Sequence, residues 1–173
     1  YDKQPTGFYV EAGKKVIVNV EILTPADQGI MPVLTVGTLG FNVDGRSTGV
    51  HTTLKAGLNT ITNHSGGLIW LSFVQDAASD PKGLVRISFS EGSEHVRVPR
   101  FVFGVTTNME FTEMLTLYTT PDVLYQSDYV VVAATKEAAN LYSKDNNKVA
   151  WLNAIHTLLD LEAEISGQDN NDP

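Results

Sequence analysis

Between Gly7 and Gly104 the apolar residues come in short runs broken by Gly, Asn, Asp and Pro, without the spacing of an amphipathic helix. Val16, Val18, Val20 and Ile22 alternate with Ile17, Asn19 and Glu21, the period-two pattern of a strand with one apolar and one mixed face. Comparable runs predict strands over 31–37, 50–54, 59–62, 68–73, 84–89 and 95–98, and Asp44-Gly45 supplies a turn that tolerates positive φ. About seven or eight short strands at this spacing predict an antiparallel β-sandwich over residues 1–104.

After Gly104 the pattern changes. Asn108 is a candidate cap for a helix over 109–118, and 129–133 forms one apolar β-run. Thr135 caps a short helix beginning at Lys136, and 148–166 reads as a longer helix stopped by Gly167. On the long helix Val149, Leu152, Ile155, Leu159 and Ala163 share a face that Trp151, Leu158 and Ile165 widen. A stripe that broad calls for more than one neighbour. The expected fold class is mainly β, with an α/β segment over 105–167 made of helices and one further strand. Residues 168–173 carry no apolar side chain and read as a linker tail.

Composition narrows the function classes. The chain has 173 residues, enough for one domain or one domain with a smaller appendage. A net charge of −8 argues against a nucleic-acid partner, because phosphate recognition needs clustered Lys and Arg. With no cysteine there is neither a disulfide framework nor a thiolate metal site. No apolar run reaches the length of a membrane span.

Candidate chemistry is sparse. Gly45-Arg46-Ser47-Thr48-Gly49 matches the nucleophile-elbow pattern, but an elbow needs a strand before it and a helix after it, whereas strand-like residues follow Gly49. His51, His64, His95 and His156 are dispersed, and none stands three or four residues from another on a helix, so no catalytic or metal-binding residue is assigned. Asp145-Asn146-Asn147 and the acidic tail lack the spaced carboxylates of a calcium loop. Glu110, Glu113, Glu162 and Glu164 are spaced like solvated helix faces. Asn63-His64-Ser65 matches an N-glycosylation acceptor. Trp70 and Tyr9, with Phe8, are candidates for stacking a sugar ring, set against a core role for Trp70 inside Leu68-Ile69-Trp70-Leu71.

Three segments in order carry a resemblance. Gln4-Pro5-Thr6-Gly7-Phe8-Tyr9-Val10-Glu11-Ala12-Gly13 opens the first. Leu54-Lys55-Ala56-Gly57-Leu58-Asn59-Thr60-Ile61, followed by Gly66-Gly67-Leu68-Ile69, forms the second, and Val98-Pro99-Arg100-Phe101-Val102-Phe103-Gly104 the third. Together, and with the long helix around Trp151, they resemble the N-terminal β-sandwich region of enhancin-like zinc metallopeptidases, a group that includes mucin-degrading bacterial enzymes.

The resemblance implies a secreted or cell-surface protein acting on mucin-type glycoproteins. It also implies a zinc ion held by a His-Glu-x-x-His helix and a later glutamate, with the motif's glutamate as general base. This sequence has no such motif, so the zinc is expected in a catalytic domain outside the chain. The expected role is non-catalytic bracing and substrate positioning, with that domain as the main partner, host mucin or glycan as a further one, and Val98–Gly104 closing the sandwich. The alternative is a carbohydrate-binding or adhesive sandwich module of a secreted or cell-surface protein.

Overall fold

The computed structural model describes residues 3–26, 29–37, 49–75, 82–142 and 147–166. Asp44-Gly45, Ser47 with most of its elbow-like string, Asp145-Asn146 and the tail lie outside the described residues. The chain divides into two units, Tyr1–Arg97 and Val98–Pro173.

In the first unit, β1 (Gln4–Val10), β3 (Val33–Val36), β4 (Val50–Thr53), β6 (Gly67–Ser72) and β8 (His95–Arg97) form a five-stranded sheet in the order β4-β3-β6-β1-β8. A three-stranded sheet, β5-β2-β7, consists of β5 (Gly57–Thr62), β2 (Lys15–Thr24) and β7 (Leu84–Phe89). All pairings in this unit are antiparallel. The alternation in β2 sends Val16, Val18 and Val20 into one core with Ile61 of β5 and Val10, Leu34, Val36 and Ile69 of the facing sheet. Each such side chain contributes about 1.5–3 kcal/mol when fully buried. Ile22 was expected on that face and is 41% exposed instead, because the β2–β7 register shifts between Ile22 and Thr24 and turns the strand's end outward.

The quoted segments have structural roles. Gly7 adopts φ 80° where the β1–β6 register slips between Pro5 and Tyr9. Asn59 closes the turn before β5: its Oδ1 accepts from the Lys55 amide at 2.8 Å, and its Nδ2 donates to the Lys55 carbonyl at 2.8 Å. Gly67 has φ 141°, and a Cβ there would lie 2.4 Å from the Cα of Gly37. A Cβ on Gly37 would in turn lie 2.5 Å from the Cα of Gly49.

The second unit is built on β9 (Arg100–Val102), α1 (Asn108–Leu117), β10 (Asp122–Gln126), β11 (Val131–Thr135), α2 (Lys136–Tyr142) and α3 (Asn147–Ser166). Its sheet order is β11-β10-β9, with β9 parallel to β10 across the α1 crossover and β10 antiparallel to β11. The Pro-x-Phe strand therefore belongs to this sheet rather than closing the sandwich, and the change of unit falls at Arg97/Val98 instead of Gly104. The expected class, mainly β with C-terminal helices and further strand, describes the fold. The single strand anticipated there is one of three, and β10 was not foreseen.

Helix α1 starts one residue earlier than expected. Thr107, not Asn108, is its N-cap: the Thr107 amide donates to Glu110 Oε2 at 2.7 Å while its Oγ1 accepts from the Glu110 amide at 3.2 Å. These hydrogen bonds hold the Glu110 carboxyl below its ordinary pKa. Thr135 caps α2 as expected, accepting from the Ala138 amide at 3.1 Å.

Two predictions follow from the first unit's packing. Gly67→Ala should destabilise the chain by about 2–4 kcal/mol, because the added methyl group meets backbone at a positive φ. An unshifted urea midpoint would contradict the close approach. His95 stacks on Phe89 at 3.8 Å and 20°, and burial holds its pKa below the ordinary 6.5 despite the opposing Ser93 hydrogen bond. A depressed histidine pKa stabilises the fold above the unfolded-state value and loses that stabilisation as pH falls toward the folded-state value. Melting temperature should therefore drop from about pH 6.5 downward, and His95→Phe should flatten that part of the profile. An identical slope in the variant would remove His95 as the cause.

Candidate functional site

Strands β10 and β11 bring Tyr125, Val132 and Ala134 together with Ala138, Ala139 and Tyr142 of α2 and Lys148 and Trp151 of α3. These residues line a cavity of about 410 Å³. Three of them are alanines, whose short side chains leave room that a larger residue would occupy. The Tyr125 ring meets Trp151 edge-on at 5.4 Å and 71°. Beneath the cavity Phe101, Phe111, Val123, Tyr125 and Leu152 form the core of this unit.

Lys148 is 5% exposed, with its Nζ 5.4 Å from the Phe111 ring centroid and 5.9 Å from that of Phe101. The negative ring faces attract the ammonium, while burial lowers its pKa. The cavity thus offers ring surface, and no carboxylate or imidazole is among the described residues that line it. Ring surface of this kind suits binding an apolar group.

A second constellation joins α3 to the turn between β10 and β11. His156 Nε2 lies 2.7 Å from Ser127 Oγ, which also accepts from the amides of Val130 at 3.2 Å and Tyr129 at 3.3 Å. The rings of Phe103 and Tyr129 contact the imidazole edge-on at 5.6 and 5.1 Å. With the two amides on its lone pairs, the serine oxygen donates its own proton to the imidazole. The pair ties α3 to the hairpin between β10 and β11.

The other histidines also have local surroundings. His51 Nδ1 is 2.8 Å from Thr35 Oγ1, His64 sits exposed in the turn before β6, and His95 Nδ1 is 3.1 Å from Ser93 Oγ. Among the described residues no three His, Asp or Glu side chains form a group able to hold a metal ion, so these residues do not fit a zinc site.

The proposed sugar-stacking residues lie inside the first unit. Trp70 is 3% exposed and donates from Nε1 to the Gly37 carbonyl at 3.3 Å, and Tyr9 is 6% exposed. Neither presents the open ring face that stacking on a sugar requires. Asn63 is 3% exposed, with its Nδ2 donating to the Val36 carbonyl at 2.9 Å. The asparagine of the glycosylation-like triplet is therefore buried, not an accessible acceptor. Exposed aromatic surface instead lies on the second unit at Tyr142 and Trp151, which sequence reasoning treated only as parts of helices.

Residues 94–173 match the family model of peptidase M60, enhancin and enhancin-like. No curated protein matches the sequence. A functionally unknown conserved protein from Bacillus anthracis str. Ames superposes with a TM-score of 0.75 at 20% identity, over 99% of this chain and 32% of that one. The catalytic module of the metalloprotease ZmpA from Clostridium perfringens gives 0.72 at 22% identity, covering 99% of this chain and 37% of that one. The M60 catalytic domain of Clostridium perfringens ZmpC, in complex with the sialyl T antigen, gives 0.73 at 19% identity over 99% and 36%. The chain thus spans about a third of these structures and shares the fold of that third.

If Ser127 and His156 act as a tie, each alanine substitution should cost about 1–2 kcal/mol. A double-mutant cycle should return a coupling of about 0.5 kcal/mol or more. Strict additivity in denaturant titrations would show that the contact contributes nothing.

Proposed function

We propose that this chain is the sandwich and adjoining α/β portion of a secreted enhancin-like zinc metallopeptidase that acts on mucin-type glycoproteins. In this reading it supplies shape and packing surface, while the metal and the groups that activate water belong to another part of the polypeptide. The observation that carries the reading is the family match over residues 94–173, which takes in the whole second unit. It is supported by the superposition of 99% of the chain on about a third of two M60 catalytic structures.

The relatives also refine the expected placement. Since those solved structures are catalytic modules, the sandwich is better regarded as one part of such a module than as a separate domain preceding it. The glycan-bearing substrate class is supported by the ZmpC catalytic domain having been solved with the sialyl T antigen. No helix among the described residues is long and apolar enough to cross a membrane. The alternative of an autonomous sugar-binding module acting through Trp70 and Tyr9 draws no support from two buried rings.

The apolar groove of the second unit has a natural role in this reading, as half of a core completed by the remainder of the module. Helix α3 leaves Trp151, Leu158, Leu161 and Ile165 exposed, and α2 does the same with Leu141 and Tyr142. That surface is more than a solvated helix pair needs to show, and burying it would add hydrophobic stabilisation.

Polypeptide extended beyond Pro173 to the length of the matched modules should bind one zinc per chain by elemental analysis and cleave a glycosylated mucin peptide, while the 173-residue chain does neither. Stoichiometric zinc with peptide cleavage from the 173 residues alone would defeat the proposal. In the extended protein, amide exchange across α3 should slow by at least about tenfold relative to the short chain, as expected when a frayed element joins a core. Equal exchange in both would remove the docking role of the helix.

A further inference from the structure

The two sheets of the first unit enclose a second cavity, of about 320 Å³, whose lining includes Thr6, Phe8, Ile69, Leu71, Ile87 and Phe89. Its origin lies in the mismatch between a five-stranded sheet and a three-stranded one. The inward side chains of the central strand β2 are fully covered, whereas Val85, Ile87 and Phe89 of β7, at the end of the smaller sheet, are only partly covered. A packed interior normally leaves few spaces larger than a water molecule, so a hollow of this volume is a feature needing an occupant or a cost.

The lining fixes the chemistry of that occupant. No charged side chain lines it among the described residues, and Thr6 is already engaged, donating to the Ile69 carbonyl at 2.7 Å and accepting from the Phe8 amide at 3.3 Å. A charged ligand would enter without a partner, and a strongly polar one would find few groups to replace water. At one end Phe8 and Phe89 meet edge-on at 5.0 Å, and His95 packs against both rings. This places an aromatic wall where a further ring can pack edge-on or offset. We propose that the space between the sheets is a binding site for a small, uncharged aromatic molecule. The site belongs to the first unit alone and does not depend on the peptidase reading.

The test titrates the full chain with phenylnaphthylamine, an uncharged fluorescent aromatic, and with anilinonaphthalene sulfonate, its anionic counterpart. The expected result is saturable binding of one uncharged probe per chain, at least about tenfold tighter than the sulfonate. Ile87→Trp and Leu71→Trp, which fill the space from the two facing sheets, should each weaken the uncharged probe by about tenfold or more. Trp151→Ala, in the groove of the second unit, should leave it unchanged. Should Ile87→Trp fail to melt cooperatively, Leu71→Trp decides alone. Preference for the sulfonate, full affinity in the filled variants, or loss of binding in Trp151→Ala would each overturn the assignment, the last by moving the probe to the groove beside Lys148.

Discussion

At one end of the sandwich the backbones of Gly37, Gly49 and Gly67 approach more closely than any side chain would allow. Hydrogen bonds converge on the same place. The Gly37 amide donates to Leu68, Trp70 donates to the Gly37 carbonyl, and Asn63 donates to Val36. The contact holds β3 against β6, and β6 is the strand that joins β3 to β1 and so unites the larger sheet. The inter-sheet core, with Leu34 and Val36 on one side and Val16, Val18 and Val20 on the other, needs that placement. A small residue is thus required by geometry at points where the sequence shows only another glycine.

Much of the sandwich was legible because its strands are half-buried, and half-buried strands write a period of two. Strand β7 was placed to the residue, and β2, β4 and β6 to within a residue or two where they were delimited. Strand β10 escaped for the opposite reason. Asp122, Val123, Leu124 and Tyr125 are all buried in the centre of their sheet, so no alternation marks them, and Pro121 reads as loop punctuation. The cap of α1 was misplaced by one residue because Thr107 and Asn108 are both good caps, and only the reciprocal bond with Glu110 selects the threonine. Local pattern can say that a helix begins there; it cannot say which oxygen reaches back.

Candidate chemistry was less legible, since it depends on distances between elements far apart in sequence. Ser127 and His156 are separated by 29 positions and share no motif, yet they meet at 2.7 Å. Conversely, Trp70 and Tyr9 look like a platform when only residue type is considered, and each is enclosed once the strands pair. The segments that resemble the enhancin-like enzymes meet folding demands in this chain: a positive φ at Gly7 and Gly57, a turn closed by Asn59, a core ring at Phe101. Such segments identify an architecture, and they leave the chemistry to residues elsewhere.

Lys148 links the fold of the second unit to its surface. Placing an ammonium at the base of an apolar groove costs desolvation, and the lowered pKa records that cost. The rings of Phe101 and Phe111 return part of it, while the same rings belong to the core that joins β9, α1 and β10. The rings that close the core also receive the ammonium, so the packing of the unit and the floor of its groove rest on one set of residues.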